Sequence, residues 1–310
     1  MNPNGGEGRG RRPSAVTIGN FDGVHRGHQA LIGRAAVAAR ERGLTLVVVT
    51  FDPHPAFVLR GIRERFLLTP GSLKRDYLVK AGADEVMTLP FTPELRDMEP
   101  EAFLHQVLKE ALAAQYVLVG YNFTFGRGGR GHVGLLENWG RQQGVAVEVM
   151  PSQTEGAEGR PISSSWIREL IRQGNLSAAV GLLGHPFSIQ GVVEPGDQRG
   201  RALTVPTLNF EPPPTQVMPP YGVYAGFAKV SDRVSPAVAN FGVRPTFGGG
   251  DPRWEVHVLE PVSWALYGET VQFDVVARIR EERRFDSPDD LRRQIARDVE
   301  DARVLLGMRR

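Results

Sequence analysis

Two histidines, His25 and His28, stand three residues apart in the short segment GVHRGH, beside Gly23 and Gly27. The segment follows an apolar run, AVTIG, and precedes the helical pattern QALIGRAAVAARERG. A strand end that leads into a helix start offers unpaired backbone N–H groups and a dipole that favours phosphate. Gly23 and Gly27 let the backbone come close to such a ligand. The imidazole N–H groups would then face charge developing at a phosphorus atom, which is electrostatic catalysis without a covalent intermediate. A pair of surface histidines with no role is the plain alternative, and spacing alone leaves it open.

Further groups could serve the same chemistry. In ISSSWIREL, Ser163, Ser164 and Ser165 open a helix and Arg168 lies one turn into it. Hydroxyls, N–H groups and a guanidinium there suit phosphate oxygens, although an ordinary helix cap reads equally well. Phe51 in TFDPHP closes a strand-like run, and His54 there and Asn122 in GYNFTFGRGGRGH lie at or just past the ends of such runs. Arg127 and Arg130 in that last loop could touch phosphate, but solvated loop arginines are the commoner case. In the second half, Gly196, Arg199, Gly200 and Arg201 form a loop before TVPTLNF, where Thr207 and Asn209 are two residues apart. In a strand that spacing puts both side chains on one face. Their oxygens suit Mg²⁺, which takes oxygen ligands and keeps waters. Glu255 in WEVHVLE is a strand carboxylate of the type that can deprotonate a hydroxyl, or a plain solvent-facing glutamate.

The elements that must hold these residues differ between the halves. The first half alternates short apolar runs such as LTLVVVTF and YVLVGYN with amphipathic helices such as SLKRDYLVKAG and VGLLENWGRQQG. That alternation predicts a doubly wound α/β domain on a parallel sheet, with ligands at the strand C-terminal ends. From Phe187 the pattern becomes strand after strand, from FSIQGVVE to TVQFDVVARIR, with Pro and Gly between. It predicts an antiparallel sheet or closed β-barrel. Ser287 and Pro288 then open a C-terminal helix, with Leu291, Ile295 and Val299 on one face. The expected division is a disordered tail over 1–13, an α/β domain over 14–184 and a barrel over 185–310. With 310 residues, 41% hydrophobic and 23% charged, the chain reads as an ordinary soluble two-domain protein. It has no apolar run of membrane-spanning length and no signal-peptide pattern. The absence of cysteine excludes disulfides and thiolate metal sites and is compatible with the cytoplasm. A net charge of +2 gives nucleic acid little support as a partner.

G-x-H-x-G-H after a first parallel strand resembles the nucleotidylyltransferase superfamily. The ordered set GNFDGVHRGHQ, TFDPHP, VGYNFTFGRGGRGH, ISSSWIREL, RGRALTVPTLNF, GVYAGFA, ANFGVRPTF, WEVHVLE, LYGETVQF and RFDSPDDLRRQIARD narrows this. It resembles the bacterial bifunctional riboflavin kinase/FAD synthetase family over nearly the whole chain after the tail. The resemblance implies an N-terminal nucleotidyltransferase domain and a C-terminal kinase barrel. His25, His28 and Arg168 would act on the triphosphate. Asn20, Phe21, Gly23, Phe51, His54, Asn122 and Ser163 to Ser165 would line the nucleotide and flavin sites. In the barrel, Gly196, Arg199, Gly200, Arg201, Thr207 and Asn209 would hold the nucleotide. Thr207 and Asn209 would also hold Mg²⁺, and Glu255 would be the base. ATP, riboflavin, FMN and FAD are the implied substrates and products, with no nucleic acid or membrane partner and room for a weak homo-oligomer. Thr204 and Leu208 depart from the family's usual glycine and alanine. They keep open an FAD synthetase whose barrel binds flavin without phosphorylating it.

Overall fold

The alternation of the first half folds as a five-stranded parallel sheet. In chain order the elements are β1 (Ser14–Ile18), α1 (Arg26–Arg42), β2 (Thr45–Asp52), α2 (Pro55–Arg60), α3 (Gly71–Lys80), β3 (Glu85–Pro90) and α4 (Pro93–Arg96). Next come α5 (Pro100–Phe103), which runs on in wide π-type turns over Leu104–Ala111, and β4 (Ala114–Gly120). A small hairpin of β5 (Thr124–Phe125) and β6 (Gly131–His132) leads to α6 (Val133–Gln143) and β7 (Ala146–Met150). A second hairpin, β8 (Thr154–Glu155) with β9 (Arg160–Pro161), ends this part. This computed structural model describes residues 12–156, 159–194, 207–243, 252–260 and 267–308. Gly196, Arg199, Gly200, Arg201 and Thr204, and most of the tail, lie outside the described residues.

The sheet order is β3-β2-β1-β4-β7. The chain winds outward from β1 to β3, then crosses to β4 on the other side, so the winding reverses between β1 and β4. Such a reversal opens a crevice at the strand C-terminal ends. Successive residues of each strand feed opposite faces. Ala15, Leu46 and Val48 pack beneath α1 and α3, with Ile32, Ala35 and Leu78. Val16, Val47 and Val49 pack on the other face with Phe103, Leu108 and Leu136. Burial on both faces is why these strands read as continuous apolar runs.

The second half begins with α7 (Ser164–Arg172) and α8 (Leu176–Leu183). The strands follow as β10 (Phe187–Val192), β11 (Thr207–Phe210), β12 (Gly222–Val230), β13 (Arg233–Val243), β14 (Pro252–Val258) and β15 (Thr270–Glu281). They form one curled antiparallel sheet in the order β10-β15-β12-β13-β14-β11. The edge strands meet at a bridge, where the Glu194 N–H donates to the Asn209 carbonyl at 2.8 Å. Inside the curl, Trp254 is fully buried and stacks on Phe241 at 4.7 Å, with Phe273 and Tyr224 beside it. Truncating an aromatic of this kind to alanine costs about 3–5 kcal/mol. The last helix, α9 (Pro288–Leu305), starts at the expected Ser287 cap and packs Val299 and Ala302 over Val223, Ala225 and Val238.

Compactness groups the chain up to Arg63 with Gly71–Ser163, and Glu64–Pro70 with Ser164 onward. Helices α7 and α8, read from sequence as the end of the first domain, therefore fall in the second unit. The causes are local: α8 packs on β10 and β15, and residues 66–67 bond to the backbone of 215–217.

Candidate active sites

In the first unit the turn after β1 is built under strain. Phe21 and Val24 hold left-handed φ values of 47° and 36°, and Gly23 holds 84°. Side chains rarely adopt that region, at a cost of about 1–3 kcal/mol each. Burial holds them there: Phe21 is 1% exposed and Val24 0%. Asn20 is exposed, and its carbonyl accepts from the Thr50 hydroxyl at 3.1 Å, which ties the turn to β2. The Phe21 ring belongs to the core, so what this residue can offer a ligand is backbone.

The turn ends by placing His25 as the N-cap of α1, where its Nδ1 accepts from the His28 N–H at 3.4 Å. An imidazole whose Nδ1 accepts carries its proton on Nε2, so that atom is a donor. His28 stacks on His25 with ring centroids 3.6 Å apart and meets the Phe21 ring edge-on at 5.2 Å. Burial, then the neighbouring His25, holds the His28 pKa well below the ordinary histidine value. His28 is thus a neutral N–H donor, and its Nδ1 is buried without a hydrogen-bond partner among the described residues. The spacing of the motif has a physical cause here. A Cβ on Gly27 would sit 3.2 Å from the His25 ring, so the ring takes the space that the sequence reading left for a ligand. Bonds of Arg34 and Tyr116 to Glu148, all at 2.8 Å, join α1 to β7 and β4 and fix the helix that bears His28.

Other expected residues of this unit gather at the same sheet edge. Phe51, next to last in β2, packs edge-on against Phe91 at 5.7 Å. His54 is buried and caps α2, its Nδ1 accepting from the Ala56 N–H at 3.1 Å. Asn122 stands exposed just beyond β4, at the reversal point. Arg127 and Arg130 both pair with Glu99. A residue missed from sequence is Lys74 of α3, whose Nζ donates to the Phe51 carbonyl at 3.2 Å. Burial lowers its pKa, while Asp22 and Asp52 pull it up. Asp22 itself is 2% exposed in the histidine turn. A lysine inside an amphipathic helix gives no sign of this in the sequence.

Ser163 ends the first unit, and Ser164, Ser165 and Arg168 begin the second on α7. Arg168 is buried, its Nε donating to the Phe66 carbonyl at 2.7 Å and its guanidinium lying 3.7 Å over the Phe66 ring.

In the barrel the expected site residues lie on the pleat of three neighbouring strands. Leu208, Val256 and Ala239 point inward and are buried, as are Phe210, Trp254 and Phe241. The alternate positions, Thr207, Asn209, Glu255, His257 and Asn240, share the outer face. Asn209 of β11 pairs in register with Glu255 of β14, which pairs with Asn240 of β13. Thr207 pairs with His257, whose pKa burial lowers. Asn209 is 6% exposed, and its Nδ2 donates to the Thr207 carbonyl at 3.4 Å, which leaves Oδ1 on the other side of the amide. A hydroxyl and an amide oxygen near a carboxylate make an oxygen-only donor set, which fits Mg²⁺ held with waters and phosphate. Among the described residues no group of three His, Cys, Asp or Glu forms a metal cage. Asn240 was not singled out from the sequence, because its place beside Glu255 depends on strand order.

The comparisons agree with this two-part geometry. A family model described as FAD synthetase matches residues 9–166, and one described as riboflavin kinase matches 183–306. A bifunctional riboflavin kinase/FMN adenylyltransferase of Escherichia coli K12 is 38% identical, over 94% of this chain and 93% of its own length. One from Bacillus subtilis is 35% identical, over 93% and 91%. A crystal structure described as a macrolide-efflux protein from Streptococcus pneumoniae aligns over 95% of both chains, with TM-score 0.83 and 31% identity. Among the described residues, no helix of the present chain is long and apolar enough to cross a membrane. The chain belongs to the family of bifunctional riboflavin kinase/FMN adenylyltransferases.

Proposed function

We propose that this chain makes FAD in two steps: its barrel phosphorylates riboflavin to FMN with ATP, and its parallel-sheet unit adenylylates FMN to FAD. In the first step the ribityl hydroxyl oxygen attacks the γ-phosphorus of ATP. The hydroxyl proton passes to Glu255, the bond to the β-phosphate oxygen breaks, and ADP leaves. Thr207 and Asn209 would hold Mg²⁺, which supplies positive charge beside the phosphates when bound. In the second step a phosphate oxygen of FMN attacks the α-phosphorus of a second ATP, and pyrophosphate departs. His25 and His28 donate neutral N–H groups to the charge that develops there.

The observation that carries the kinase half is the outer face of the barrel, where Thr207, Asn209 and Glu255 stand together. Leu208, one of the two departures from the family pattern, points inward and is 2% exposed, so it fills the core and leaves that face intact. The monofunctional alternative gains nothing from it. We place the chain in the cytoplasm, where its small-molecule substrates would be ATP and flavins.

A paired assay tests the whole reading. Purified protein with ATP and Mg²⁺ receives riboflavin in one reaction and FMN in the other, and the flavins are separated. FMN and FAD should form from riboflavin, and FAD from FMN. FAD from supplied FMN alone would remove the kinase half, and no product from either would remove both.

A further inference from the structure

The antiparallel pairing of the barrel lays four side chains in one row across its outer face: Asn209, Glu255, Asn240 and Val223. Neighbouring strands are about 4.8 Å apart, so Asn209 and Asn240 flank Glu255 at a separation of about 10 Å. The row has direction. Asn209 and Thr207 stand on one side of the base, and Val223 on the other lies under α9, in the apolar cluster with Val299 and Ala302. Asn240 is the polar position between the base and that apolar cover. It is half-buried in the interior of an eleven-residue strand, where asparagine is disfavoured because its amide packs poorly on a pleat.

We infer that Asn240 binds the hydroxyl-bearing chain of the acceptor flavin and so sets the specificity of the kinase step for a polyol substrate. The inference rests on the kinase reading above and extends it to a residue on the acceptor side. A proton acceptor in phosphoryl transfer must touch the attacking hydroxyl while the nucleotide lies beyond it. With Thr207 and Asn209 holding the nucleotide on the β11 side of Glu255, the attacking hydroxyl approaches from the β13 side. There the Asn240 amide offers both a donor and an acceptor, which matches a chain of hydroxyls. Its Cβ lies about 5 Å from that of Glu255, close enough for both to hold one ligand chain. Asn240 takes no proton and forms no covalent bond; it holds the acceptor in place.

The test uses the full-length chain with Asn240→Ala and the milder Asn240→Ser, and two flavins. Riboflavin carries the ribityl chain, and lumiflavin carries the same ring system without it. Binding of each is followed by flavin fluorescence, beside KM for riboflavin and for ATP. Asn240→Ala should weaken riboflavin five- to tenfold, the size of one or two neutral hydrogen bonds, with lumiflavin binding and the ATP KM unchanged. Asn240→Ser, which keeps a hydroxyl, should recover part of the loss. Adenylylation of supplied FMN should not change. An effect on ATP in place of riboflavin would overturn the assignment, as would equal weakening of both flavins or no change. If Asn240→Ala does not fold, the same comparison with Asn240→Ser decides. A wild-type chain that makes no FMN overturns the kinase reading and this inference together. A normal wild-type kinase with an indifferent Asn240 overturns the inference alone.

Discussion

On the site residues proposed above, the parallel-sheet unit and the barrel position their chemistry by opposite means. In the first, the working side chains come from a loop beyond a strand end, and the loop is held in unfavourable backbone geometry by what is buried beneath it. Phe21 and Val24 are core residues with positive φ, and the histidine pair sits on the helix start they aim. In the second, the proposed site residues stand on the strands themselves, and register holds them. A one-residue slip of β11 would turn Thr207 and Asn209 inward and Leu208 outward. A loop site therefore fails through its supports, and a strand site fails through its pairing.

The strongest test of this division is a pair of substitutions with opposite effects. Glu255→Gln should lower FMN formation by about 10²- to 10⁴-fold, the usual cost of losing a general base, with FAD formation from supplied FMN intact. His28→Ala should lower FAD formation by about 10²- to 10³-fold, as for one lost donor at a developing charge, with FMN formation intact. Both reactions are followed on the same purified variants. If either substitution removed both activities from folded protein, the two sites would not be independent.

How much of this was legible follows the same contrast. Every main strand of both sheets was readable, because two-sided burial gives apolar runs such as LVVV and one-sided burial gives alternation such as WEVHV. Thr207, Asn209 and Glu255 were readable as faces, since period two needs no tertiary knowledge. Asn240 was not, because strand order puts it beside Glu255 and no local pattern encodes strand order. The histidine spacing was readable as a candidate phosphate site, but the reason for Gly27 was not, because it depends on where the His25 ring folds back. The placement of α7 and α8 was also hidden. Their apolar faces say that they pack, without saying on which sheet.

Lys74 offers a sharper probe of the loop site. It joins α3 to the end of β2 through the Phe51 carbonyl, within electrostatic reach of Asp22 in the histidine turn. Lys74→Met keeps the length and removes the charge, which leaves Asp22 buried with less compensation. FAD formation should fall about tenfold to a hundredfold, as misplaced catalytic groups lose rate steeply. The loss should lie mainly in kcat, with Lys74→Arg recovering part of it and FMN formation unaffected. An unchanged rate for Lys74→Met would mean that the turn is held by Phe21 and Val24 without help from α3.

The smallest expected effect concerns acid stability, and it isolates His28. Burial and the adjacent His25 depress its folded pKa, whereas the unfolded chain titrates near the ordinary value of 6.5. Below that value the unfolded state binds a proton that the folded state refuses, so stability must fall with falling pH. The stabilisation is complete above about pH 6.5 and is lost as pH drops toward the folded value. His257 in the barrel is depressed in the same direction and gives the whole chain a background slope. Comparing wild type with His28→Gln cancels that background. Unfolding midpoints measured from pH 7.5 down to 5 should fall less steeply for His28→Gln. Equal slopes would show that His28 titrates alike in the folded and unfolded chain, and that the fold does not hold it neutral.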